Sequence, residues 1–150
     1  MPSVTFLLGS KSDIGFANTI ADLLREYAVD CEIIVASAHK VPEKVVAIIE
    51  KLNAVKQPMV VVTCVGMSNG LAGVVAGSCV HPLVNCPPFK DHEDYLVNVH
   101  SSLQMPSEVP VMTVLNTKNA ALCALKILAT SDAVLRKKLL QRIAKVKADY

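Results

Sequence analysis

The sequence predicts a three-layer α/β sandwich: a parallel sheet with helices packed on both faces. Apolar runs of strand length alternate along the chain with segments whose apolar residues recur at helical spacing, the pattern of repeated βαβ units. The central run, Met59 to Val65, is apolar almost throughout, as expected of a strand covered on both faces. Several strands end in short loops of glycine and small polar residues that lead straight into a helix. At 150 residues the chain suits one domain, 1–150, and is too short for two ordinary ones.

Thr5 to Leu8 reads as the first strand, followed by the Gly9 to Asp13 loop. A helix then runs from about Ile14 to Tyr27 with Ala17, Ile20, Ala21 and Leu24 on one face, and either Ser12 or Asp13 is its N-cap. Cys31 to Val35 forms the second strand and opens into Ser37 to Lys40. Pro42 suits the first turn of the next helix, where its missing N–H costs nothing, and Val45, Ile48, Ile49 and Leu52 line that helix. After the Met59 to Val65 strand, Gly66 to Gly70 turns the chain into a helix of small residues containing Leu71, Val74 and Val75. Leu83 to Asn85 is a short fourth strand, and the Cys86-Pro87-Pro88 that follows imposes a rigid turn that admits a cis bond. Glu93 to Leu103 is helical and Val111 to Leu115 is the fifth strand; helices over about Asn119 to Leu128 and Asp132 to Lys147 complete the pattern. The last carries a narrow apolar stripe, Leu135, Leu139, Ile143 and Val146, for covering the sheet or a neighbouring subunit. Its other faces are basic.

Composition narrows the function. Hydrophobic residues make up 52% of the chain, yet no run approaches the roughly 20 apolar residues needed to span a bilayer. A domain of this length buries only about 70% of its unfolded surface. The surplus apolar surface points to a homo-oligomer. A net charge of +2, with the basic residues gathered in the last helix, and an aromatic content of 4% speak against nucleic-acid binding. The five cysteines show no CxxC spacing, so neither a zinc site nor a dithiol pair is signalled. The start of the chain carries no leader pattern, and a reducing cytoplasm is the expected compartment.

Three loops carry the chemistry. Loops after parallel strands meet at the carboxyl edge of the sheet, where ligands bind. Gly9-Ser10-Lys11-Ser12-Asp13 is either a tight turn with a cap or a phosphate cradle at a helix start, with Asp13 suited to ribose hydroxyls. In Ser37-Ala38-His39-Lys40, the imidazole of His39 is the candidate proton acceptor, placed directly after a strand. Lys40 offers a point charge to a phosphate or carboxylate. Gly66-Met67-Ser68-Asn69-Gly70 is either a capped turn or a close backbone approach to a ligand, with Ser68 and Asn69 as its polar groups. His81, His92 and His100 are expected to be structural or solvated, and no Ser-His-Asp pattern, HExxH or Walker loop is present.

These loops, in this order, resemble the phosphoribosylaminoimidazole carboxylase/mutase family of purine biosynthesis. The resemblance runs from Val4 to about Leu128 and takes in Ser102-Leu103-Gln104-Met105-Pro106 and the helix start at Asn119-Ala120-Ala121. Members of the mutase class carry an arginine after the histidine and a second loop with its own histidine. This chain has Lys40 and Gly66-Met67-Ser68-Asn69-Gly70-Leu71 at those places. Together with Asn85-Cys86-Pro87-Pro88, they resemble the direct carboxylase class, familiar as a domain of the fused animal enzyme.

The resemblance implies a flavodoxin-like fold, an octamer, and no cofactor, metal or ATP. It also implies aminoimidazole ribonucleotide and carbon dioxide as substrates and His39 as the acid/base. Ser10, Ser37 and Lys40 would position the phosphate and developing carboxylate, Asp13 the ribose, and Ser68 and Asn69 the charge growing on carbon dioxide. The alternatives are a mutase acting on the N-carboxy isomer and a non-catalytic nucleotide-binding module. The Ser101 to Pro106 segment is the candidate for completing a neighbouring subunit's pocket.

Overall fold

A computed structural model of the chain describes residues 2–150. Its elements are β1 (Ser3–Leu8), a 3-10 turn (Lys11–Asp13), α1 (Ile14–Glu26), β2 (Asp30–Val35), α2 (Pro42–Asn53), β3 (Met59–Cys64) and α3 (Gly70–Ser78). β4 (Leu83–Asn85), α4 (His92–Leu103), β5 (Met112–Thr113), α5 (Thr117–Leu128) and α6 (Ala133–Ala148) follow. The sheet is ordered β2-β1-β3-β4-β5 and every pairing is parallel. That is the flavodoxin-like order. The chain leaves β1 in one direction and returns on its other side at β3, so the topological switch lies between β1 and β3.

The period-2 alternation of the strands divides the core into two layers. Val4, Phe6 and Leu8 of β1 and Val60, Val62 and Cys64 of β3 face α1 and α5, against Ala17, Ile20, Ala21, Leu24, Ala121, Ala124 and Leu125. Leu7 and Val61 point the other way, onto Val45, Ile49 and Leu52 of α2 and Leu71 and Val75 of α3. The expected inner face of α1 is fully buried at all four positions. Each large aliphatic side chain withdrawn in this way contributes about 1.5–3 kcal/mol, and these contacts fix the sheet that carries the loops.

Three expectations need correction. The fifth strand was expected over Val111 to Leu115 but spans only Met112–Thr113, because its sole neighbour, β4, offers just Val84 and Asn85 for pairing. The α1 entrance is capped by neither Ser12 nor Asp13. Ser10 accepts from the Ser12 amide at 3.2 Å and opens the 3-10 turn, while Asp13, with helical backbone angles, makes no capping bond. The apolar stripe of α6 is only half covered: Leu135 and Leu139 are buried, whereas Ile143 and Val146 are 41% and 51% exposed. The helix runs past the edge of its own core. All peptide bonds of the described residues are trans, including those at Pro87 and Pro88.

Candidate active site

All three chemistry-bearing loops lie at the carboxyl edge of the sheet, two of them flanking the switch point. In the first, the Ser10 hydroxyl accepts from both the Ser12 amide (3.2 Å) and the Ser12 hydroxyl (2.8 Å). With both lone pairs engaged, the Ser10 proton is left to donate outward. The Asp13 amide donates to the Ser10 carbonyl at 3.2 Å, which closes the turn. Burial pushes the Asp13 carboxyl above its ordinary value, and hydrogen bonds from the Ser10 backbone and the Ser12 side chain offset part of that rise.

The second loop leaves β2 beside β1, with the Ala36 amide bonded to the Leu8 carbonyl at 2.9 Å. Ala38 packs against the second core layer, and His39 and Lys40 after it are exposed. The Ser37 carbonyl accepts from the Val41 amide at 2.9 Å, which turns the chain into α2. Val41, at the N-cap position, supplies no side-chain cap, so the open helix start favours an anion nearby.

The third loop is held from behind. The Met67 amide donates to Asn98 Oδ1 at 2.7 Å, and the Asn69 amide to the Ser101 hydroxyl at 2.6 Å. The buried Asn69 side chain spends both amide protons inward, on Asn85 Oδ1 (2.9 Å) and Ser102 Oγ (3.0 Å), while its Oδ1 caps α3 by accepting from the Ala72 amide at 3.1 Å. Asn85 Oδ1 also accepts from the Thr63 hydroxyl at 3.0 Å. Met67 sits in the left-handed region at φ 60°, a conformation that costs a side-chain-bearing residue about 1–3 kcal/mol and that the Asn98 bond helps maintain. Ser68 stays exposed.

The second and third loops meet at one point. A methyl group built on Gly70 would come within 2.8 Å of His39 Nε2 and 3.0 Å of Cε1, so the imidazole rests directly on the bare Gly70 backbone. A cavity of about 510 Å³ opens between Met67, Ser68 and the start of α4, but Asp91, Glu93 and Asp94 line it. Three carboxylates against the single ammonium of Lys90 make it a poor seat for a phosphate.

The sequence pattern did not single out Asn98 or Thr63, and it gave Ser102 and Gly70 other roles than the ones they have here. The signal was there in part: Asn98, Ser101 and Ser102 share one helical face by their i, i+3, i+4 spacing. On α4 the polar face turns inward, while Leu96, Val97 and Leu103 are exposed. Ser101 and Ser102, suspected of serving a neighbouring subunit, hold a loop of their own chain. The other histidines fall outside the site: His81 Nε2 bonds to the Leu52 carbonyl at 2.8 Å, His92 stacks on Tyr95, and His100 is exposed. The cysteines are free, and burial pushes their thiols up, Cys86 to about 12 and Cys31 to about 11. They behave as small hydrophobes.

The AIR carboxylase family model matches residues 3–149. The chain belongs to that family. The match extends past Leu128, where the sequence resemblance stopped, and takes in α6. The phosphoribosylaminoimidazole carboxylase of Archaeoglobus fulgidus is 40% identical over 135 residues, covering 90% of this chain and 73% of that protein. The N5-carboxyaminoimidazole ribonucleotide mutase of Methanocaldococcus jannaschii is 36% identical over 146 residues, covering 96% of this chain and 90% of that protein. Among solved structures, Treponema denticola PurE superposes with a TM-score of 0.86 at 34% identity, covering 99% of this chain and 96% of that one. Membership of the AIR carboxylase family makes the chain an enzyme of carboxylase/mutase type in purine biosynthesis, on the flavodoxin-like fold expected of it. No helix among the described residues is long and apolar enough to cross a membrane.

Proposed function

We propose that residues 1–150 form an aminoimidazole ribonucleotide carboxylase domain that adds carbon dioxide reversibly to aminoimidazole ribonucleotide, giving carboxyaminoimidazole ribonucleotide. It works as a cytoplasmic homo-octamer and uses no cofactor, metal or ATP. The observation that carries this reading is the His39 imidazole lying against Gly70, beside the switch point of the sheet.

The amino group of the substrate pushes electron density onto the adjacent ring carbon, which attacks carbon dioxide. A carbon–carbon bond forms, and one carbon–oxygen π pair becomes the carboxylate. The ring carbon now holds both a proton and the new carboxylate. His39 takes the proton, the C–H pair returns to the ring and aromaticity is restored. The imidazolium then releases its proton to solvent, so the net change is one proton for one carbon dioxide. In reverse, His39 returns the proton and carbon dioxide leaves.

Ser10, with its outward proton, and Lys40 bind the phosphate together with Ser37, while Asp13 accepts from the ribose hydroxyls. Ser68 and neighbouring backbone amides stabilise the charge on the carbon dioxide oxygens. Asn69, its amide protons engaged inward, serves by shaping that loop.

Incubation with the nucleotide and labelled carbon dioxide tests the reading, with the label expected in the ring carboxylate. The mutase named among the relatives favours a second reading, transfer of a carboxyl group from nitrogen to carbon. Turnover of the N-carboxy isomer in bicarbonate-free buffer, with no label taken up from carbon dioxide, would establish that reading instead. Nucleotide binding without reaction of either substrate would overturn both.

A further inference from the structure

Glycine at position 70 is not explained by its backbone. Gly70 is the first residue of α3, and no glycine among the described residues has a positive φ, so the backbone there would accept alanine. What glycine provides is space, and one neighbour uses it. The heavy atoms closest to a methyl built on Gly70 would be His39 Nε2 at 2.8 Å, Cε1 at 3.0 Å and Cδ2 at 3.6 Å. All three belong to one imidazole ring. His39 itself is exposed and sits on a loop turned only by its own backbone.

The backbone leading into Gly70 is fixed by a neighbouring helix. Asn98 holds the Met67 amide at 2.7 Å, Ser101 holds the Asn69 amide at 2.6 Å, and Ser102 receives an Asn69 side-chain proton at 3.0 Å. Asn98 and Ser102 are each 1% exposed, so they hold the loop out of competition with water. We infer that Gly70 is a positioning residue for the His39 imidazole, and that Asn98, Ser101 and Ser102 of α4 hold Gly70 in register beneath it. The role in turnover rests on the assignment of His39 as the acid/base, whereas the role in placing the ring does not.

The test uses the full chain with histidine-selective isotope labelling. His39→Asn, made alongside, assigns the His39 resonance among the four histidines. Gly70→Ala is expected to shift the His39 ring signals in the free protein and to lower kcat at least about tenfold, since small misplacements of reacting groups are costly. Nucleotide KM should stay within about twofold, as ring placement serves the chemical step more than ground-state binding. The unfolding midpoint should hold or rise, because alanine is the better helix former.

Unmoved ring signals, or a collapse of the unfolding midpoint, would overturn the inference. If His39→Asn retains turnover, the proposed base fails, while the shift of the ring signals still decides the placing role. Ser102→Ala should move the same His39 signals in the same direction by a smaller amount, with Ser102→Thr restoring them. An unmoved signal in Ser102→Ala would remove α4 from the arrangement.

Discussion

The loops after β2 and β3 share one edge of the sheet, yet they are held in opposite ways. Residues 66–70 are tied from behind by three side chains of α4 and one of β4, with Asn69 4% exposed. Residues 37–40 are held by a single turn bond and the packing of Ala38, and they present His39 and Lys40 to solvent. The difference teaches that the reactive group and the rigidity need not share a loop. In the proposed reading, the base sits on the lightly held loop and takes its placement from the wired loop it leans on.

Four substitutions break or sharpen this comparison. His39→Asn strikes the chemical group alone: turnover should fall at least about 10²-fold with nucleotide binding nearly intact, measured by steady-state kinetics and equilibrium binding. Asn69→Ala strikes the wired loop. It takes one of two donors from Asn85 Oδ1, the Asn69 donor from Ser102 and the cap from α3, at a cost of about 1–3 kcal/mol in denaturant unfolding, together with a loss of turnover. If stability fell while activity stayed intact, the wiring would have nothing to do with the site.

Lys40→Ala strikes the exposed loop in its binding role. It should raise nucleotide KM by roughly tenfold with kcat little changed, the size expected for one charge-assisted contact. An unchanged KM would remove Lys40 from the phosphate seat.

Asp13→Asn is the smallest and turns on a sign. The folded-state pKa of Asp13 is raised, so between its unfolded and folded values the folded protein binds more protons than the unfolded chain. Stability therefore falls as pH rises through that window, and the ionised carboxylate is a small liability at neutral pH. Asn at this position should leave the unfolding midpoint unchanged or higher at pH 7 and flatten its acid-side pH dependence. Nucleotide KM should rise a few-fold. A lower midpoint at pH 7 would mean that the carboxylate stabilises the fold.

Most of the architecture was legible because it is written in short-range patterns. Helical spacing in 17–24 and 45–52 placed the buried faces of α1 and α2, and the apolar run at Met59 placed the central strand. Where the reading slipped, a long-range partner decided. β5 is as short as β4 allows, and the α1 entrance took a 3-10 turn capped by Ser10 in place of a cap from Ser12 or Asp13. The candidate site was legible only as three loops. Residues such as Ser10 and His39 stand beside recognisable turn chemistry, but nothing local marks Gly70 as the seat of an imidazole more than thirty residues upstream.

By itself, then, the sequence determined the order of strands and helices, the chemical inventory at the strand ends and the family. Each of these depends on residues within a turn or two of one another. The tertiary structure alone decided that α4 turns its asparagine and serines inward, that these residues grip a loop 31 to 33 positions earlier, and that the Asn69 carboxamide faces the core. Buried polar groups must find partners wherever the fold brings them, and a hydrogen bond across such a distance leaves no periodicity in the chain to announce it.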